Sequence, residues 1–238
     1  DWSSDVCSSD LFDAAVFPDT DKEGIEEDEL IANIKEAIKK FHKQVKIWNL
    51  SISIKRPVVD TKFSDFAIAL DSLQDKYDVL ICKSAGNCSN FANNLPKGRI
   101  HEGADSVRSL VVGSFAHDKS IYDYAEINDP SPFSRIGPGP EYIIKPEVSH
   151  YGGNAGVDND GKIVSTGIKS FAQNGKVAQA VGTSFSTPRI TSLAAGIQQE
   201  LNEDFDPLLL KALIIHSASY PSGMTIPECE RADRKSVV

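Results

Sequence analysis

The sequence has 238 residues, of which 40% are hydrophobic and 25% are charged, and its formal net charge is −9. This apolar fraction is too high for a disordered chain, and no apolar run approaches the roughly 20 residues that span a bilayer. Thirty-four acidic residues against 25 basic ones argue against a nucleic-acid-binding surface, which usually needs a basic face.

The two ends of the sequence differ from the rest. Residues 1–11, DWSSDVCSSDL, show no helix or strand periodicity and resemble the translation of a common short-read sequencing adapter, as do residues 233–238, DRKSVV. A solvated terminus would have a similar composition, but matches at both ends favour adapter-derived segments, which are excluded from fold reasoning. We therefore expect residues 12–232 to be the native part, cut at both ends.

Residues 12–232 contain three cysteines, Cys82, Cys88 and Cys229. Three cysteines cannot all pair internally, and their spacing is not that of a zinc site. A Cys82–Cys88 disulfide is one alternative, but free thiols are the favoured interpretation, which points to a reducing compartment.

The first half of the chain alternates strand and helix patterns. Residues 12–17 are an apolar run predicted to be a buried strand, and residues 45–54 and 77–82 predict two more strands, with a further strand over 106–112. Between them, apolar residues recur at helical spacing in two segments, the first with Leu30, Ile31, Ile34, Ala37, Ile38 and Phe41, the second with Phe63, Phe66, Ala67, Leu70 and Leu73. Alternating strands and helices predict an α/β fold with a mainly parallel sheet.

Turn residues dominate the middle of the chain. Residues 113–141 are rich in proline and glycine and predict loops, whereas residues 142–148 predict an extended segment. Residues 163–166 and 177–181 are predicted to be a strand pair on either side of a turn at Asn174-Gly175. Two helices follow, one over the apolar repeat that runs from Pro188 to Leu201 and one after the N-cap sequence Asp206-Pro207.

The segment Gly182-Thr183-Ser184-Phe185-Ser186-Thr187-Pro188 carries a candidate nucleophile. The helical repeat begins beside it, so Ser184 is predicted to lie on a tight turn at a helix N-terminus. Unpaired backbone N–H groups and the helix dipole favour negative charge there, which suits a serine whose attack creates an oxyanion. The simpler alternative is that Ser184 and Ser186 are ordinary helix caps.

A second candidate follows the strand over residues 77–82. Ser84, Ala85 and Gly86 are small enough for a substrate to approach the backbone, and the amide of Asn87 could donate a hydrogen bond to an oxyanion. An asparagine in an ordinary turn is the alternative.

Several segments, taken in order, resemble the subtilisin-like serine proteases (subtilases). VKIWNLSIS resembles the strand that enters the substrate-binding loop of that family, and ICKSAGN resembles the strand with the oxyanion-hole asparagine. SLVVGSFAHD, FSRIGPG and IKPEVSHYGGN resemble further family stretches, and VGTSFSTPRITSLAAGI resembles the nucleophile motif. The resemblance covers nearly all of residues 12–220.

The resemblance implies a three-layer subtilisin-like fold with helices on both faces of the sheet and its N-terminal part missing. It implies that Ser184 is the nucleophile of a serine endopeptidase and that Asn87 supplies the oxyanion-hole side chain. A peptide or protein substrate would be bound as an added strand by Ser51, Ile52, Ser53, Ser84, Ala85 and Gly86. Neither a nucleic-acid partner nor a membrane span is expected. No cofactor is required, and structural calcium, which family members often bind, cannot be assigned to particular residues.

The family's aspartate and histidine motifs are absent from the sequence. The five histidines, His42, His101, His117, His150 and His216, lack the family context. We expect the catalytic aspartate and histidine to have been encoded upstream, and the chain given to be nearly inactive because a serine hydroxyl is a weak nucleophile without a base. The interval from Asn87 to Ser184 is long for the family, and residues 117–141 are expected to hold an insertion.

Two other functions are consistent with parts of the sequence. A catalytically dead peptide-binding module would keep the cleft and lack the catalytic triad. A nucleotide-binding α/β domain fits the sheet pattern, but the sequence lacks both GxGxxG after a strand and GxxxxGK[ST].

Overall fold

The computed structural model describes residues 25–171, 175–201 and 204–220. Its centre is a sheet of four parallel strands in the order β1-β2-β3-β4. The strands are β1 (Ile47–Leu50), β2 (Leu80–Ser84), β3 (Leu110–Phe115) and β4 (Val148–Tyr151). All residues of β2 and β3 are buried, as expected for parallel strands covered on both faces.

Two helices, α1 (Glu27–Phe41) and α2 (Asp65–Tyr77), cover one face of the sheet. The side chain of Ser64 caps α2 by accepting a hydrogen bond from the Ala67 N–H at 3.1 Å. A shared core joins the two helices to the sheet through Leu30, Ile34, Ile38, Phe66, Leu70, Leu73, Val79 and Ile81. The predicted helical spacing of these apolar residues is confirmed.

The other face carries α3 (Thr183–Leu201) and α4 (Pro207–Ser217). Asp206 caps α4, as predicted, by accepting hydrogen bonds from the N–H groups of Leu208 and Leu209 at 2.9 and 3.0 Å. The core on this face consists of Leu80, Cys82, Leu110, Val112, Val148, Ile190, Ala194, Leu210 and Ile214. The structure therefore confirms three layers, with a mainly parallel sheet between helices.

Two antiparallel hairpins stand apart from the main sheet. They pair β5 (Asn154–Val157) with β6 (Ile163–Thr166), and β7 (Ile168–Phe171) with β8 (Val177–Ala180). The predicted pairing of residues 163–166 with 177–181 is therefore wrong. Each segment pairs with a nearer strand that the sequence analysis did not identify, because closing a shorter loop costs less chain entropy.

The predicted strand boundaries also shift. The strand expected over residues 45–54 is limited to Ile47–Leu50, because its neighbour β2 ends at Ser84 and the chain turns at Gly86, where φ is +96°. The strand expected over 106–112 is β3 at 110–115, and residues 142–148 reach the sheet only at Val148. The strand predicted at 12–17 lies outside the described residues.

Cys82 and Cys88 are both free thiols, Cys82 being buried. This confirms the favoured interpretation of these two cysteines over a disulfide between them, and Cys229 lies outside the described residues. Burial raises the pKa of the Cys82 thiol to about 12, so this thiol is a packing element of the core. None of the helices in the described ranges has the length and apolar character needed to cross a membrane.

A buried ionic cluster joins β4 to α4. The Nζ atoms of Lys145 and Lys211 lie 2.5 and 2.7 Å from Oε1 of Glu147, and Oε2 of Glu147 accepts a hydrogen bond from the Val111 N–H. Lys211 also donates to the carbonyls of Val107 and Ser109. Burial opposes ionisation, but the two lysines outweigh it and hold the pKa of Glu147 below its usual value.

We expect Glu147→Ala to destabilise the fold by about 3–5 kcal/mol, because it leaves two buried ammonium groups without their anion. Denaturant unfolding followed by circular dichroism measures the change. Glu126→Ala is the matched control, since Glu126 pairs with Lys119 at the surface with 69% of its side chain exposed, and it should cost much less. Equal losses in the two variants would contradict the importance of the buried cluster.

Candidate active site

Ser184 is the second residue of α3, at the helix N-terminus, as the sequence predicted. The turn before the helix needs a glycine at 182, because φ is +137° there and a Cβ would lie 3.0 Å from Nδ2 of Asn87. The Gly182 N–H donates to the carbonyl of Gly152, just after β4, at 2.8 Å. The hydroxyl and the backbone N–H of Ser184 take part in none of the hydrogen bonds recorded among the described residues.

Asn87 lies against this turn. Its Oδ1 accepts hydrogen bonds from the Thr183 N–H at 2.9 Å and from the Thr183 hydroxyl at 3.1 Å. In turn, the Gly86 N–H donates to Oγ1 of Thr183 at 3.2 Å. Because both bonds hold the amide oxygen, Nδ2 of Asn87 keeps its two N–H donors for another acceptor. The residues that carry the candidate oxyanion donors, Asn87 and Ser184, therefore both adjoin Thr183.

Ser51 connects β1 to the same helix. Pro188 lies inside α3 and has no N–H, so the Ser184 carbonyl lacks the usual helical donor. The hydroxyl of Ser51 donates to that carbonyl at 3.4 Å. Pro188, predicted at the start of the helix, therefore lies within it. The hydroxyl of Ser51, a predicted substrate-binding residue, takes the place of the N–H that Pro188 lacks.

The predicted substrate-binding residues lie in two segments, called the two walls below, which differ in burial. Ser84, Ala85 and Gly86 are buried, and the Ala85 N–H donates to the Val112 carbonyl at 2.9 Å. The segment Ser51–Ser53 is more open, and Ile52 is 38% exposed. Outside the helices and strands, no hydrogen bond among the described residues involves the backbone of Ser53. The wall at Ser51–Ser53 is thus the more exposed of the two, whereas the wall at Ser84–Gly86 is held by a hydrogen bond within the protein.

Lys83 joins the two walls, and the sequence analysis missed it. Its buried Nζ donates to the carbonyl of Ile52 and to that of Ser84, the latter at 3.1 Å. Burial lowers the pKa of Lys83 to about 7, against a smaller opposite effect of Asp105. The only feature of the sequence that could have indicated this role is the position of Lys83, a single lysine between an apolar strand and a loop of small residues. Thr183 was also missed, because a threonine beside a candidate serine looks like an ordinary cap.

No described histidine is hydrogen-bonded to Ser184. His150 lies on β4, and burial together with the nearby Arg189 lowers its pKa to about 4. Burial and then Arg135, Lys83 and Lys55 lower the pKa of His101 to about 4 as well. These imidazoles are therefore neutral at pH 7. The described residues also hold no group of three or more histidine, cysteine or acidic side chains able to bind a metal ion.

Thr183→Val is expected to cost about 1–3 kcal/mol of stability, because it leaves the buried Gly86 N–H without an acceptor and removes one of the bonds to Asn87. Thermal or urea unfolding measures the loss. Thr183→Ser keeps the hydroxyl and should lose less. If valine and serine at this position have equal effects, the hydroxyl does not fix the site.

We expect the free energy of unfolding to fall as the pH drops from about 6.5 to about 4. Unfolded histidines bind a proton near pH 6.5, whereas His101 and His150 bind one only near pH 4 when folded. The unfolded state therefore binds more protons within this window and is favoured by acid. Urea unfolding at a series of pH values should give a flatter slope for His101→Gln or His150→Gln than for wild type. His216→Gln, at the exposed end of α4, is the control.

Comparisons with known proteins identify the family of this chain. The model of the Subtilase family matches residues 4–235. An uncharacterized protein of Sinorhizobium fredii is 27% identical over 228 residues, with 80% of this chain and 52% of that protein covered. The chain thus spans about half the length of this curated relative.

Solved structures share the fold. A mutant of the protease domain of PatA superposes with a TM-score of 0.59 at 22% identity, covering 92% of this chain and 64% of that one. The prenylagaramide maturation protease PagA gives 0.56 at 20% identity, covering 82% and 58%. A cold-adapted subtilisin-like serine proteinase gives 0.55 at 19% identity, covering 87% and 60%. With the family model matching nearly the whole sequence and the sheet, helices and serine turn arranged as described, this chain belongs to the subtilase family.

Proposed function

We propose that the whole protein is a serine endopeptidase in which Ser184 is the nucleophile. The observation that carries this proposal is the pair of hydrogen bonds from Thr183 to Oδ1 of Asn87. These bonds aim the N–H groups of the Asn87 amide away from the protein's own acceptors, beside a serine at a helix N-terminus. Asn87 is exposed, so these N–H groups are open to an acceptor on a bound substrate.

The reaction would proceed in two steps. Oγ of Ser184 attacks a peptide carbonyl carbon and loses its proton to a general base, and the carbonyl oxygen becomes an oxyanion. Nδ2 of Asn87 and the N–H of Ser184 donate to that oxyanion. When the C–N bond breaks, the amine takes the proton and an acyl-enzyme remains. Water then attacks the ester in the same way and releases the acid.

The mechanism needs a histidine as general base, and no described histidine is hydrogen-bonded to Ser184. We expect this histidine, and the carboxylate that orients it, to belong to parts of the protein outside the described residues. Nδ2 of Asn87 and the Ser184 N–H would then form a pre-built donor site for the oxyanion, because contacts with Thr183 and Ser51 already hold these two residues in place.

The substrate would be a peptide bound in extended form. The open backbone at Ser53 offers unpaired groups that an added strand could use, whereas the wall at Ser84, Ala85 and Gly86 limits the cleft from the other side. Lys83 would keep both walls at a fixed separation through its bonds to the Ile52 and Ser84 carbonyls.

A catalytically dead peptide-binding module remains the second candidate. The observation that favours it is that the Ser184 hydroxyl has no hydrogen-bonded imidazole among the described residues. In this case the same cleft would bind extended peptides without cleaving them.

The two candidates are separated by sequencing the coding DNA upstream of the codon for Phe12 and expressing the longer product. Aspartate and histidine motifs in frame, with hydrolysis of fluorogenic peptides that Ser184→Ala abolishes, support the endopeptidase. An intact reading frame without these motifs, with peptide binding and no hydrolysis, supports the binding module.

The 238-residue chain itself is expected to show almost no labelling by a fluorophosphonate probe, because the weak serine nucleophile lacks a base. In-gel fluorescence against an active serine protease of equal concentration measures it, and Ser184→Ala gives the background. Labelling comparable to the active protease and absent from Ser184→Ala would show that another group serves as the base.

A further inference from the structure

A groove of about 540 Å³ opens beside the candidate oxyanion site. Asn87 and Gly182 border it at the end near Ser184, and Phe91 and Phe133 contribute apolar surface. Three basic residues, Lys55, His101 and Arg135, also line it. The groove is lined by no aspartate or glutamate, and the described part of the chain places no carboxylate within ion-pair distance of Lys55 or Arg135.

Arg135 is held rigidly against the oxyanion site. Its Nε donates to the Asn87 carbonyl and its Nη1 to the Arg99 carbonyl, both at 2.8 Å. No hydrogen bond among the described residues uses Nη2. A guanidinium fixed by two carbonyls loses little further entropy when its remaining N–H groups bind an anion.

His101 lines the same groove and carries a buried polar atom without a partner. The residue is 6% exposed, yet its buried Nδ1 has no hydrogen-bond partner. A Cβ on Gly86, next to Asn87, would lie 3.3 Å from this nitrogen, so the imidazole borders the buried wall of the cleft. Such an unpaired atom costs free energy unless a ligand satisfies it.

The charged groups that shift the pKa of His101 are all cationic. Arg135, Lys83 and Lys55 each lower the pKa of His101, in addition to the larger effect of burial. The opposing carboxylates are engaged elsewhere, Glu102 with Arg56, and Asp105 with Ser64 and Gly103. A bound anion would be attracted by these cationic groups, whereas a cationic side chain would be repelled.

We propose that this groove binds the carboxylate side chain of an aspartyl or glutamyl residue in a peptide, next to the bond presented to Ser184. The proposal rests on the proposed function, because it uses the same cleft. Nη2 of Arg135 donates to the carboxylate, the His101 ring borders it, and Lys55 adds long-range attraction. The aliphatic part of the side chain lies against the aromatic surface of the groove.

Binding can be measured without catalysis, on the 238-residue chain. Isothermal titration calorimetry at low ionic strength is run with N-acetyl peptide amides that are identical except for a final aspartate, asparagine or lysine. We expect the aspartate peptide to bind about tenfold more tightly than its isosteric asparagine counterpart, and the lysine peptide to bind most weakly. In NMR, the ring resonances of His101 should move with the aspartate peptide.

Substitutions in the groove test which residues cause the preference for aspartate. Lys55→Gln changes an exposed side chain and should reduce the aspartate preference while keeping the fold. Arg135→Gln should remove most of it, and circular dichroism checks that this variant folds. Lys62→Gln is the matched control, because Lys62 is an exposed lysine outside the groove and should leave the preference unchanged.

Two failures are distinguishable. If all three peptides bind equally well, the acidic preference is overturned and the peptide cleft stands. If no peptide binds, the peptide cleft of the proposed function falls together with this inference. An aspartate preference that survives both groove variants would also overturn the assignment to Arg135 and Lys55.

Discussion

The candidate site depends on one contact, the pair of hydrogen bonds between Thr183 and Asn87, which joins residues 96 positions apart. Asn87 follows the carboxyl end of β2, and Thr183 begins α3. The contact exists because Ile190 and Ala194 of α3 pack on the sheet, which brings the helix N-terminus to the edge where the parallel strands end. It places an unused amide donor beside Ser184 and fixes the turn that presents the serine.

Buried lysines form a second constraint. Lys83, Lys145 and Lys211 are each buried, and each donates to backbone carbonyls or to Glu147. The cost of burying an ammonium group is offset only when its donors are used. Lys83 differs from the other two, because its two acceptors, the carbonyls of Ile52 and Ser84, belong to the two predicted substrate-binding segments. The fold thus uses a buried cation to position backbone that a substrate would meet.

The helices were the most predictable elements, and the strand pairing was the least. Periodic apolar residues such as Leu30, Ile34 and Ile38 specify which face of a helix is buried, regardless of which element packs against that face. A short strand such as Ile163–Thr166 carries no comparable information about its neighbour, so its pairing with Asn154–Val157 was not foreseen. The length of β1 was also overestimated, because strand length depends on where the adjacent strand ends.

The sequence by itself determined the family motifs, the three-layer architecture and the identity of Ser184 and Asn87 as the residues to examine. Glycine, serine and proline at fixed spacing carry this information, since each restricts the local backbone. Only the tertiary structure decided that Thr183 orients Asn87, that Lys83 joins the cleft walls, and that Lys55, His101 and Arg135 share one groove. These contacts join residues distant in sequence, and their geometry follows from packing of the whole sheet and its helices.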